Sequence, residues 1–347
     1  CTSNMDAPEI KLPGDNFNTV LYTGNGSTLA VTGVGFQPDV IWIKNREITE
    51  NNFIASSVQD ADGNKYFYTN LNSAEGDRAD GITSIDSDGF SLGSWGNNNT
   101  ASDTHVAWNW LAATTFNPAD DGTVVTGSGR SNSDAGFSII KYEGTGSNMT
   151  VGHNLSQAPE LVIGKGVDQV DNWRVGSSEL TSWAYILGLN TTAAETSYTS
   201  IWNSTAPTTS VISIGESGSI NTDDEDFILY AFHSVEGYSK VDSFTGNADA
   251  DGAFVYTGFR PAYVLIKRIS GSTENWGVFD NKRDGYQPEN FDLRPNLNNA
   301  EGADEDVLDL LSNGFKMRST SGGFGGAVSP YLYYAVAAYP FKYANAR

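Results

Sequence analysis

A single pattern is written three times in this chain, and it narrows the possible folds more than any other feature. The first repeat reads FNTVLYTGNGSTLAVTGVGFQPDVIWIKNR, from Phe17 to Arg46. The second reads FSIIKYEGTGSNMTVGHNLSQAPELVIGKG, from Phe137 to Gly166, and the third SKVDSFTGNADADGAFVYTGFRPAYVLIKR, from Ser239 to Arg268. Each has an apolar run, a Gly/Asn turn, a second run, a proline (Pro38, Pro159, Pro261) and another apolar run. The interval is too long for a solenoid repeat and suits a small domain of roughly a hundred residues. The ends match as well. SDGFSLG (Ser87–Gly93) precedes THVAWNWLAA, SVISIG (Ser210–Gly215) precedes FILYAFHS, and SNGFKMR (Ser312–Arg318) precedes YLYYAVAAYP. Between start and end, Phe53-Ile54, Asn172-Trp173 and Asn275-Trp276 read as counterparts.

The runs themselves indicate strands. They are short, rich in Val, Ile, Tyr, Phe and Trp, and separated by turn residues, including 37 glycines. The best helical stretch, EDVLDLLS (Glu305–Ser312), spans only about two turns. Proline cannot sit inside a central strand, so Pro38 marks the entrance to VIWIKN. Alternation then places Val40, Trp42 and Lys44 on one face, and Ile41 and Ile43 on the other. Two apolar faces suit a strand deep in a two-sheet stack. Val106, Trp108 and Trp110 share a face that is either core or a sugar platform. Core is the better reading, because the third repeat carries Tyr and Val there. The expected fold is all-β, with three tandem jelly-roll, lectin-like β-sandwich domains at 17–115, 135–236 and 237–347. An N-terminal segment (1–16) precedes them, and a Gly/Ser/Asp-rich linker (116–134) separates the first two. The connection Val235–Tyr238 is so short that the second and third domains should touch.

Charge limits the partners. With 42 acidic against 20 basic residues, the net charge is −22. That field repels phosphates and anionic membranes, so no nucleic-acid partner is expected. No apolar run approaches the roughly 20 residues that span a bilayer, so no membrane insertion is expected either. The single cysteine, Cys1, permits no intrachain disulfide. It reads either as a lipidated residue left by signal cleavage or as an internal position with sequence upstream.

Candidate chemistry is sparse. Glu75, Asp77 and Asp80 approximate the carboxylate spacing of lectin-like glucanases, but a solvated loop explains them. His105, His153 and His233 stand singly, with no H-E-x-x-H and no G-x-S-x-G nearby, and read as structural. A non-enzymatic protein is expected. The metal candidate is calcium at Asn247, Asp249 and Asp251, with Asp60–Asn64 as a shorter version. Gly258 stands where an EF-hand would place its closing acid, and Asp and Asn are also good turn residues. No ligand-binding residues can be assigned.

The phrases YTGNG, GFQPDVIWIKNR and SDGFSLG with VAWNW resemble a family of virion-associated proteins of tailed bacteriophages. So do EGYSK, DGAFVYTGFRPAYVLIKR, LSNGFKMR and PFKYANAR. The resemblance spans essentially the whole chain, although Glu143–Gly146 and Gly164–Gly166 of the second repeat depart from it. It implies concanavalin-type repeats placed C-terminal to a separate attachment region, and an internal Cys1. It further implies a tail fibre or other appendage on the virion exterior, in contact with other virion proteins and host surface glycans. Two alternatives are a capsid or tail decoration protein without a receptor role, and a cellular carbohydrate-binding lipoprotein anchored through Cys1. No coiled-coil heptads are present, so assembly as a homo-oligomer is left open.

Overall fold

In each repeat the run after the proline becomes the third of a matched set of four neighbouring strands in one antiparallel sheet, which has six strands in the first two repeats and four in the third. The computed structural model describes residues 5–10, 12–283, 291–302 and 306–344. Strand outweighs helix by 41% to 4%, so the chain is all-β. The first repeat's sheet orders its strands as Phe17–Thr23, Thr104–Trp110, Val40–Asn45 and Phe53–Ser56. The second uses Phe137–Glu143, Asp226–Phe232, Leu161–Gly166 and Arg174–Ser177 in the same order. The third uses Ser239–Thr245, Pro330–Pro340, Phe259–Arg268 and Gly277–Asp280. We call these the opening, closing, proline and fourth strands. Registers also agree: Phe17 and Val40 flank Trp110, Phe137 and Leu161 flank Phe232, and Ser239 and Tyr263 flank Val336. Positions can therefore be matched residue by residue.

A smaller sheet packs on one face of each large one. In the first repeat Leu29–Thr32, Gly89–Leu92 and Ile82–Asp86 form it. Ile41 and Ile43 of the proline strand meet Val31, Ile82, Phe90 and Leu92 in a local core. The second repeat pairs Met149–Gly152 with Val211–Ile214. The third pairs Gly314–Met317 with both Phe254–Tyr256 and Leu308–Leu311.

The opposite faces do not reach solvent. Trp42, Trp108 and Trp110 of the first repeat share one apolar cluster with Ile163, Tyr230 and Phe232 of the second and Tyr263, Leu265 and Tyr334 of the third. Phe17 touches Trp110 and Tyr263 at ring separations of 4.8 and 5.4 Å, and Phe232 meets Tyr334 at 4.7 Å. Such offset and edge contacts favour aromatic pairs beyond area burial alone. Trp108 and Trp110 are 1% and 4% exposed, so this face is core rather than a sugar platform. A small void of about 30 Å³ remains where the three faces meet.

One expectation needs correction, and two other segments find their place. The stretch 116–134 is not a free linker: Gly127–Asn132 pairs with the opening strand Phe137–Glu143, and Thr114–Phe116 pairs with Gly127–Asn132 in turn. Arg130 further ties it to Asp39 at 2.7 Å. Within the N-terminal segment, Ile10 is buried in the shared core. In the stretch considered for a helix, Leu308–Leu311 is a strand, because Leu308 and Leu310 alternate inward against Phe315 and Met317. Cys1 and Glu305 lie outside the described residues.

A shared core makes the three repeats one cooperative unit. Leu265→Ala, which opens a cavity in that core, should lower stability by about 2–5 kcal/mol. Near-ultraviolet and far-ultraviolet dichroism should then shift together along a urea titration. Separate transitions for separate repeats would contradict the shared core.

Candidate functional site

The distinctive polar chemistry lies at the joints between repeats. Each proline strand carries a lysine at one matched position: Lys44, Lys165 and Lys267, each with no exposed surface. Alternation points it at a neighbouring repeat, and its ammonium survives burial by donating to carbonyl oxygens. Lys165 Nζ reaches Gln169 O at 3.0 Å and, across the joint, Asn72 O at 3.4 Å. Lys267 Nζ reaches Glu274 O at 2.8 Å and, across the next joint, Thr192 O at 3.1 Å. Lys44 Nζ donates to Asn45 O at 2.7 Å, with the carboxylates of Glu50 and Glu301 nearby. Burial pulls all three lysines down to about 8.

Two further sets of contacts repeat around the same triangle. The amide of Glu75 donates to Val167 O (2.8 Å), that of Glu195 to Ile269 O (2.8 Å) and that of Glu301 to Arg46 O (2.9 Å). Likewise Trp173 Nε1 donates to Tyr68 O at 3.1 Å and Trp276 Nε1 to Gly188 O at 2.9 Å. In the first repeat Asn52 Nδ2 takes that role, donating to Arg294 O at 3.2 Å and Leu297 O at 2.6 Å. An asparagine supports each of these donors: Asn70, Asn190 and Asn296 accept from the amides of Asn52, Trp173 and Trp276 at 2.9, 3.0 and 3.0 Å. The counterpart of Asn172-Trp173 is therefore Asn51-Asn52, two residues ahead of the Phe53-Ile54 read from sequence. The joint between the third and first repeats adds a buried ion network. Arg283 pairs with Asp280 at 2.6 Å and Glu301 at 2.8 Å, Arg46 pairs with Glu301 at 2.7 Å, and Trp108 Nε1 donates to Asp280 at 3.0 Å.

These contacts explain Glu75. Its carboxylate accepts from Gln59 Nε2 at 3.0 Å and pairs with Lys65 at 3.0 Å, while Asp77 is exposed and Asp80 pairs with Arg78. The three carboxylates do not converge on one face. Glu75 shares its place with Glu195 and Glu301, each preceded by alanine (Ala74, Ala194, Ala300), a signal the sequence contained. The histidines also stay apart. His105 stacks on Tyr22 at 5.0 Å and is pushed down to about 4 by burial. His153 accepts from Leu155 N and faces Thr208 O, and His233 faces Ser234 O at 2.9 Å.

The calcium candidates form a chain of turn contacts. Asn247 Oδ1 accepts from Asp249 N, Asp249 Oδ1 accepts from Asp251 N, and Asp251 pairs with Lys316. Each oxygen faces a different donor, and Lys316 supplies the positive charge. Asp60 similarly accepts from Asn64 N. Among the described residues, no group of three or more His, Cys, Asp or Glu could hold a metal ion. Nor, among them, is any helix long and apolar enough to cross a membrane.

Beside the joint of the third and first repeats lies a cleft of about 340 Å³. Its lining includes Asp15, Asn18, Thr19, Asn281, Lys282 and Tyr339.

Two outcomes follow from this chemistry. Between pH 8 and 9 the folded lysines lose their protons before the unfolded ones, so the unfolded chain binds more protons and stability rises with pH, until the tyrosines that burial pushes up reverse the trend nearer pH 10. Urea midpoints should climb across that window, less steeply in Lys165→Met; a flat or falling profile would contradict buried lysines. Thermal midpoints should be the same in calcium and in chelator, whereas a calcium-dependent rise would show that the 247–251 loop rearranges to bind the ion.

The chain belongs to the family described as a domain of unknown function, DUF7483, whose model matches residues 12–340. The match spans all three repeats and every joint between them. No curated protein matches the chain.

Proposed function

We propose that this chain is a non-enzymatic structural protein of a tailed-bacteriophage particle. It stands on the virion exterior as a tail fibre or other appendage, joined to other virion proteins, and its loops contact host surface glycans. The observation that carries this reading is the closed triangle of repeats. Buried lysines, tryptophans and backbone clasps are spent on holding three units rigid, which leaves turns and loops displayed on a stiff support. Each repeat is read as a jelly-roll sandwich made of one large and one small sheet. The repeated phrases that resemble phage virion proteins supply the setting.

A second reading drops the receptor. Three matched units around one core would suit a threefold position on the particle, where the protein would decorate or cement the shell. Mass spectrometry of purified particles tests both readings, and both require the chain to be present. Adsorption separates them: excess free chain should reduce phage binding to host cells under the first reading and leave it unchanged under the second. Absence from particles would end both.

A further inference from the structure

The small sheet of the third repeat presents to solvent a face unlike that of its two counterparts. Val31, Val151 and Val255 are matched and buried, opposite Phe90, Ile212 and Phe315. Alternation turns the residues on either side of that valine outward. They are Ala30 and Thr32 in the first repeat, and Thr150 and Gly152 in the second. In the third they are Phe254 and Tyr256, which are 48% and 54% exposed. A strand rises about 3.3 Å per residue, so the two rings stand roughly 6.6 Å apart along one edge of the sheet. The neighbouring strand has changed with them. Where the first two repeats place Ser91 and Ser213 opposite Ala30 and Thr150, the third places Lys316 opposite Phe254, with Asp309 next in the same row. Lys316 pairs with Asp251, and Arg318 pairs with Asp309 at 2.6 Å. Tyr256 also borders a cleft of about 700 Å³ at the joint with the second repeat.

We propose that this sheet face binds a neutral saccharide chain, with one sugar ring stacked on Phe254 and another on Tyr256. Single apolar side chains are ordinary on a surface, but two large rings side by side, where the other repeats carry small residues, mark a contact. The size of the patch selects the partner. A stable protein interface covers about 800 Å² on each side around an apolar core, whereas here two rings are bordered at once by ion pairs. A pyranose suits that layout. Its C–H face lies on the electron-rich face of an aromatic ring, and the hydroxyls at its rim meet charged donors and acceptors. Those groups are reachable: the side chains of Asp251, Arg318 and Lys316 are 79%, 38% and 26% exposed. Lys316 and Arg318 are offset by Asp251 and Asp309, and the net charge of −22 works against acidic sugars. Beyond Tyr256 the cleft gives a longer chain room to continue, past Lys240 and Glu236. The inference rests on the glycan-contacting function proposed above and gives that contact a place.

The test is saturation-transfer NMR on the full chain with cellotetraose, chitotetraose and maltotetraose, repeated on Phe254→Thr, Tyr256→Thr and the double variant. Threonine fills the matched positions in the second and first repeats (Thr150 and Thr32), and both rings are half exposed, so each variant should keep the urea midpoint of the parent. At least one saccharide should give a signal. Each single variant should weaken its binding about tenfold, the loss of one stacking contact, and the double variant should abolish it. A signal that the double variant leaves intact overturns the platform but spares the glycan-contacting function. No signal from any of the three saccharides overturns the platform, and the glycan contact then stands or falls on the adsorption experiment alone. If, with no saccharide signal, the double variant also ceases to compete for adsorption, the two rings are a protein contact instead.

Discussion

Burial of the second face of each large sheet is the constraint on which the rest of this structure depends. A sandwich ordinarily hides one face of each sheet and wets the other. Here the outward faces carry Trp42, Trp108, Trp173, Tyr230, Tyr263 and Tyr334, and they have nowhere to go but against each other. Three such faces close a triangle. Once it closes, every backbone group at the joints is cut off from water and must find a partner in the neighbouring repeat.

That requirement accounts for the polar residues. Lys44, Lys165 and Lys267 sit at the ends of apolar strands, each donating to a carbonyl of its own repeat, and Lys165 and Lys267 donate also to one across a joint. The tryptophan donors do two jobs, filling core volume and capping a carbonyl across the joint. The last joint brings together residues far apart in sequence, and it alone uses Asp280, Arg283, Glu301 and Arg46 as a buried ion network. Removing one partner of such a network would leave a buried charge unpaired, which is strongly destabilising. The network ties the first repeat to the third.

Departures from threefold likeness at the joints fall into two kinds. Where one repeat puts Asn52 for tryptophan, the amide still caps the matched carbonyl, so the change is compensated. Where Ala262, Asn281 and Thr19 replace paired or apolar residues, no compensation occurs and a polar cleft remains. The first kind of change maintains the frame, and the second leaves buried oxygens at one joint without partners.

The triplication, the strand runs, the proline entrances and the alternation of Val40/Trp42 against Ile41/Ile43 were all determined by the sequence, because each is a local property of spacing and side-chain type. The matched glutamates at 75, 195 and 301 were also written there, but they follow middle segments of different length, which hid their alignment. Only the tertiary structure decided that the second apolar face meets two other repeats, that residues 127–132 extend a sheet, and that the oxygens of Asn247 and Asp249 turn toward backbone amides. Burial and pairing depend on which distant segment arrives alongside. That is a property of the closed triangle, and no single stretch of chain contains it.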